Sequence, residues 1–480
     1  MKVKDHFRIS KYLNFQKLLT PNMINSISLR FERLASKYIE KYEEFKPSVK
    51  LNNYLNNTKI KRAELENITG LNCESSDIID LENSFGNYFR DSDGNMILDC
   101  HMSNGYNVLG YNHRNMLRET RLEHYMPYSI GNSSIYGDVP SIEYAETVLK
   151  ELHSLAPVNV EEIILSKSSD KAIEDAVRLC CISFIERYNH IIEQNKEFKV
   201  LTFQGADYDF NNNSIKLNFP DIKYPYESNL EHNYKAEEEA IIKFDGIISE
   251  LKEKDILIPA IVIEPMHYNS GIKYAGPSFY RKIMKISKEA DIKIIINESN
   301  TCGWMSGRTF SYLHWCSEIS PDLVVFGGRM QLNGIFYRRD LINSDNFNEF
   351  KFTVKSQPDM LSYKKLMLLK YMVYSVDWLD LINTNFYSSL KTEFNEIKKY
   401  SYINILNERG MGKVFAFDVD HKLLRDEIIH LAKLKGIKLN ALGDNTIALT
   451  PSLMFTEIHF NFVKQFLIEC KPSTKYISKF

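Results

Sequence analysis

Four short stretches carry the side chains with chemical potential. "SKSSD" places Lys167, Ser168, Ser169 and Asp170 where a helix is expected to start. Hydroxyls and free backbone N–H groups at a helix start suit a phosphate, and Asp170 does not. A carboxylate ~4 Å from a phosphate costs roughly 4 kcal/mol per unit charge at an effective dielectric near 20, so Asp170 is expected to be the helix N-cap. "IVIEPMH" and "IIINESN" end apolar runs on Glu264 and His267, and on Asn297, Glu298 and Asn300. "VVFGGRMQLNG" ends a third run on Gly327, Gly328 and Arg329. A guanidinium keeps its proton up to a pKa above ~12 and is a poor nucleophile. No nucleophile–base pair emerges from these residues. Glu264 and Glu298 are expected to be structural, and His267 a satisfied core residue.

These residues need a scaffold that gathers loop ends. From about residue 145 short apolar runs alternate with helical patterns: "EEIILS", then "DKAIEDAVRLCCISFIERY", then "KVLTFQG", "IPAIVIEP", "IKIIINES" and "DLVVFGG". Apolar strands separated by helices imply a parallel sheet covered on both faces, and ligands in such sheets bind at the carboxyl ends of the strands. Upstream, "GNYFRDSDGNMILDC" reads as a β-hairpin whose turn residues tolerate positive φ. Downstream, a helix near residues 363–380, "KVFAFDV", "KLLRDEIIHLAKLKG", "NTIALT" and a last helix outline a smaller α+β lobe. Residues 1–75, which alternate helix-like patches with polar loops such as "LNNYLNNTK", read as an extension without its own core.

Composition narrows the options. A formal net charge of −2 gives no whole-chain attraction to nucleic acid or to a membrane surface. No apolar run reaches the ~18–20 residues of a membrane helix. The seven cysteines form no C-x-x-C pair and are expected to be reduced thiols. From His6 to Phe31 there is no acidic residue, while Arg8, Lys11, Lys17 and Arg30 are basic. That pattern resembles a mitochondrial transit segment. With Phe7, Tyr12 and Phe15 it is also a weak signal for RNA contact.

In order along the chain, "GNYFRDSDGNMILDCHMSNGYNVLGYNH", "IVIEP", "NESNTCGWMSG", "PDLVVFGGRMQLNG", "RGMG" and "LGDNTIALTPSL" resemble the class III pyridoxal-phosphate aminotransferases, nearest the 4-aminobutyrate and lysine ε-aminotransferase branch. The resemblance implies an α/β fold, the pyridoxal-phosphate transferase fold type I. This has a large domain with a mostly parallel seven-stranded sheet, a smaller α+β domain from both chain ends, and a dimer with the cofactor at its interface. The corresponding division is an extension at 1–75, small-domain residues at 76–130 and 346–480, and a large domain at 131–345.

Against that family pattern, the covalently bonding lysine is replaced by Gly328 and the aspartate facing the pyridine nitrogen by Asn297. In "GADYDF", Asp207 stands where an aromatic ring stacks and Phe210 where an arginine stands. Thr450 replaces the arginine that grips the substrate carboxylate, and Asn300 replaces a glutamine. Transamination requires an amine that holds the cofactor and then moves the substrate proton. No catalytic residue is therefore expected. The set Ser168, Ser169, Asp170, Glu264, His267, Asn297, Asn300 and Arg329 is expected to line a vestigial pocket with no cofactor and no metal. The expected function is that of a pseudoenzyme, kept as a structural subunit of a larger mitochondrial, matrix-side assembly such as a mitoribosome or respiratory complex. A homodimer, or a heterodimer with a homologous chain, is expected. The alternatives are a regulatory partner of an active class III aminotransferase and a divergent pyridoxal-phosphate transaminase.

Overall fold

The computed structural model describes residues 47, 56–69, 77–112, 147–188, 197–206, 208, 213–315, 320–342, 362, 365–367, 369–370, 373 and 390–473. Met1–Ser48 and Val49–Phe480 form two compact units, and the elements below belong to the second. They begin with α1 (Asn56–Thr69), β1 (Ile79–Phe85), β2 (Tyr88–Asp91) and β3 (Met96–Asp99). Next come β4 (Glu162–Ser166), α2 (Ser169–Tyr188), β5 (Val200–Phe203), β6 (Ser214–Leu217), α3 (Leu230–Glu253), β7 (Ala260–Ile263), α4 (Pro277–Glu289), β8 (Lys293–Glu298), β9 (Leu323–Phe326) and β10 (Asn333–Tyr337). The last are β11 (Leu406–Met411), β12 (Val414–Asp418), α5 (Lys422–Leu434), β13 (Ile437–Lys438), β14 (Asn440–Leu442), β15 (Thr446–Leu449) and α6 (Glu457–Glu469). "NNTK", read above as loop, opens α1.

The central sheet is seven-stranded and mostly parallel, as the resemblance implied, in the order β4–β10–β9–β8–β7–β5–β6. Only β10 runs against its neighbours, β4 and β9. The pleat sorts each apolar run between two cores. Ile261, Ile263, Ile294, Ile296, Val324 and Phe326 enter the cluster that contains Phe244 of α3 and Phe279 of α4. Val262, Ile295 and Val325 enter the cluster that contains Ala172, Ile173 and Leu179 of α2. Burial on both faces explains why these strands read as unbroken apolar runs and not as alternation.

Two four-stranded sheets complete the unit. β1–β2–β3–β13 joins early and late chain segments, because β13 pairs in parallel with β3. β11–β12–β15–β14 is antiparallel. Arg409 of β11 links that sheet to the loop after β7. Its Nε donates to Gly271 O at 2.8 Å, Nη1 to Asn407 O at 2.6 Å, and Nη2 to Asp418 Oδ1 at 2.8 Å and Thr446 Oγ1 at 3.1 Å. The guanidinium also lies 5.1 Å from the Tyr224 ring centre. Among the described residues no helix is long and apolar enough to cross a membrane, and Cys100, Cys180, Cys181, Cys302 and Cys470 are free thiols.

Glu298 closes β8 and is fully buried. Its Oε1 accepts Tyr312 N–H at 2.6 Å and its Oε2 accepts the Thr301 hydroxyl at 2.5 Å. Burial pushes its pKa up to about 7, against smaller opposing contributions from these donors and from Arg329.

Two outcomes follow from these buried charges. Arg409→Met strands Asp418 and is expected to cost about 3–5 kcal/mol in chemical denaturation. Glu298 binds its proton more tightly folded than unfolded, so its contribution is complete below pH 4.5 and is lost as pH rises through about 7. Glu298→Gln should remove roughly 3 kcal/mol of that decline, at about 1.4 kcal/mol per pKa unit, and unfolding curves at several pH values across this window measure it.

Candidate functional site

The carboxyl ends of β5, β7, β8 and β9 point the same way, and β4 ends beside them because β10 runs back between β4 and β9. The segment after β3 meets this edge. Met102, Ser103, Asn104 and Gly105 form a run of positive φ values: 48°, 52°, 59° and 79°. Left-handed backbone costs a non-glycine residue roughly 1–2 kcal/mol, so the run needs an anchor. Asp99 supplies one. Its Oδ1 accepts the N–H groups of His101 and Met102, each at 2.8 Å, and its Oδ2 accepts the Tyr111 hydroxyl at 2.6 Å.

That turn presses Tyr106 onto Gly328. A Cβ at Gly328 would lie 2.2 Å from Tyr106 Cε1, and φ at Gly328 is +25°. The Tyr106 hydroxyl donates to Asn300 Oδ1 at 2.8 Å, and Gln331 Nε2 donates to Tyr106 O at 2.9 Å. A side chain at position 328 therefore requires this ring to shift. Gly105 is equally constrained, since a Cβ there would sit 2.8 Å from Arg329 Nη2.

Arg329 is fully buried. Its Nη2 donates to Asn104 O at 2.9 Å, and its guanidinium lies 5.3 Å from the Tyr268 ring centre. Its Nε and Nη1 have no hydrogen-bond partner. The Tyr268 hydroxyl lies beside Thr450, Arg329 and Asn440, which offset part of the rise that burial causes in its pKa, but none of them meets it at hydrogen-bonding geometry. Thr450, also fully buried, donates to His101 O at 2.9 Å.

The other sequence-selected residues separate into groups. Asn297 Nδ2 donates to Glu264 Oε1 at 3.0 Å, and Asn297 Oδ1 accepts Ser299 N–H at 3.1 Å. The amide thus serves its own strand end. Ser169 donates to Asn333 Oδ1 at 2.9 Å and sits over Gly327, where a Cβ would meet its hydroxyl at 2.3 Å. Lys167 is exposed. Asp207 and Phe210 lie outside the described residues.

Two expectations change. Ser168, not Asp170, caps α2: its hydroxyl accepts Lys171 N–H at 3.2 Å, and Asp170 sits in the first turn. The first turn tolerates a carboxylate through the helix dipole, so sequence preference alone did not separate the two positions. His267 is a core residue but not a satisfied one. It packs between Phe203 and Phe219, and its Nε2 is without a partner. Burial, reinforced by Lys273, pushes its pKa down to about 3, so the ring is neutral at physiological pH. Sequence reading also missed Tyr106, Tyr268 and Asn440. The "SNGY" stretch was the available signal for Tyr106, because a glycine before an aromatic ring lets backbone approach closely.

The comparisons agree on the ancestry of this arrangement. The aminotransferase class-III family model matches residues 72–470. A probable mitochondrial 4-aminobutyrate aminotransferase of Caenorhabditis elegans is 25% identical over 80% of this chain and 85% of its own length. The mitochondrial 4-aminobutyrate aminotransferase of Sus scrofa is 22% identical over 79% and 81%. Among solved structures, a lysine aminotransferase from M. tuberculosis in the internal aldimine form superposes with a TM-score of 0.69 at 19% identity, covering 85% of this chain and 98% of that one.

These findings overturn the expectation that no cofactor goes with this chain, because they point to pyridoxal phosphate. Missing site residues were a poor guide to that question, since cofactor contacts are spread over many backbone and side-chain groups. The residues at the strand ends nevertheless fit the group incompletely. Position 328 has no amine, and a side chain there would require Tyr106 to shift, while Asn297 is uncharged where it meets Glu264. With residues 72–470 matched by the family model and the expected mostly parallel seven-stranded sheet in place, this chain belongs to the class III aminotransferase family.

Proposed function

We propose that this chain is a non-transaminating member of the class III aminotransferases, kept for its architecture as a subunit of a larger assembly. One observation carries the reading: the Tyr106 ring occupies the space into which any side chain at position 328 would project. Position 328 itself carries no amine, and the adjacent Arg329 cannot give up its proton to act as a base or nucleophile. The reading concerns turnover and leaves the cofactor assignment as stated above. Dimerisation, the habit of class III aminotransferases, suits an architectural role. The mitochondrial names of the C. elegans and Sus scrofa relatives support a mitochondrial placement.

The purified chain, supplied with pyridoxal phosphate, 4-aminobutyrate and a 2-oxo acid, is expected to form amino-acid product no faster than the cofactor alone. Turnover above that background would favour a divergent transaminase. Native mass spectrometry is expected to show an assembly of twice the 56.0 kDa chain mass; a mixed pair with a second homologous chain would favour the regulatory reading. Steric occupation of the site has its own measurement. Gly328→Ala is expected to cost about 2–3 kcal/mol, from overpacking and unfavourable φ together. In a Tyr106→Ala background the same change should cost measurably less in urea denaturation, and an equal cost in both backgrounds would refute the contact.

A further inference from the structure

We propose that the buried guanidinium of Arg329 is the receptor for a small oxyanion, a carboxylate or phosphate group, bound beside Tyr268, Thr450 and Asn440. Arg329 has no solvent exposure, and an ionised group removed from water is costly unless it is paired and hydrogen-bonded. A lysine could shed its proton in such a place; a guanidinium cannot. The partners present are one carbonyl, Asn104 O, and the face of the Tyr268 ring. The N–H groups on Nε and Nη1 have no acceptor.

Among the described residues no carboxylate is hydrogen-bonded to Arg329. Glu298 lies close enough to feel the guanidinium, but its two oxygens accept Tyr312 N–H and the Thr301 hydroxyl. The contrast with Arg409 is informative. That guanidinium is buried too, and every one of its nitrogens has an oxygen partner, including the Asp418 carboxylate. This fold therefore satisfies a buried arginine where the arginine is structural.

The surroundings of Arg329 are those of an anion receptor. The Tyr268 hydroxyl is buried beside Thr450, Arg329 and Asn440, none of which meets it at hydrogen-bonding geometry. These are neutral hydrogen-bonding groups around one permanent cation, and they come from the loop after β7, the loop after β9 and two C-terminal strands or their ends. Asn104 and Tyr106, which cover the guanidinium and its loop, are only half-buried, so a modest displacement of that turn gives entry. The inference does not rest on the chain being non-transaminating, because it concerns binding and not turnover.

The test uses the purified full-length chain, with thermal unfolding and calorimetric titration in chloride, acetate, inorganic phosphate and pyridoxal 5′-phosphate at matched ionic strength. At least one oxyanion is expected to raise the Tm by several degrees over chloride, and the probe that does so identifies carboxylate or phosphate as the source. Arg329→Met, of similar length and uncharged, is expected to abolish the response. A wild-type Tm equal in all four anions overturns the proposal, as does a response that survives Arg329→Met. If that variant does not fold, Tyr268→Phe decides: a Kd weakened about tenfold, the loss of one hydrogen bond to a charged group, supports the site, and an unchanged Kd overturns it.

Discussion

The contact between the turn after β3 and the loop after β9 governs the character of this protein. Asp99 holds four successive residues in left-handed backbone, and that turn delivers Asn104, Gly105 and Tyr106 to the strand ends. Gly328 is then obligatory, because the ring leaves no room for a Cβ. Gly105 is obligatory for the same kind of reason, because the Arg329 guanidinium lies where its Cβ would be. The glycine at position 328 and the aromatic cover above it are two sides of one packing arrangement.

Around this contact the fold treats buried charge in two ways. Arg409 is tied to a carboxylate, a hydroxyl and two carbonyls, and it links the C-terminal sheet to the loop after β7. Glu298 is neutral over much of the pH range and anchors the segment at Thr301 and Tyr312. Both complete their hydrogen bonds within the chain. Arg329 and Tyr268 do not, although they sit beneath the same turn that covers Gly328. The unpaired guanidinium leaves an electrostatic asymmetry at the centre of the strand-end site.

Much of the scaffold was legible in the residues. The runs at Ala260–Ile263, Lys293–Glu298 and Leu323–Phe326 are strands because β-branched and other apolar residues on both faces suit a covered sheet. The hairpin of Tyr88–Asp91 and Met96–Asp99 followed from its turn residues. The antiparallel β10 was not read, because "NGIFY" is short and its direction depends on partners distant in sequence. The cap of α2 was assigned two residues late, because Ser168 and Asp170 are both good caps and only backbone geometry chooses between them.

The sequence by itself determined the family resemblance, the seven-stranded architecture and the absence of a lysine at position 328, since these depend on local pattern and residue identity. It could not determine that Tyr106 fills the position, that Asn297 is turned toward Glu264, or that Arg329 lies buried without a carboxylate. Those facts join residues up to 225 positions apart, and side-chain contacts over such separations are decided by how sheets and turns meet in three dimensions. The cofactor was the instructive case. Residue types at a few positions argued against it, whereas descent and fold, which record the whole chain, point to pyridoxal phosphate.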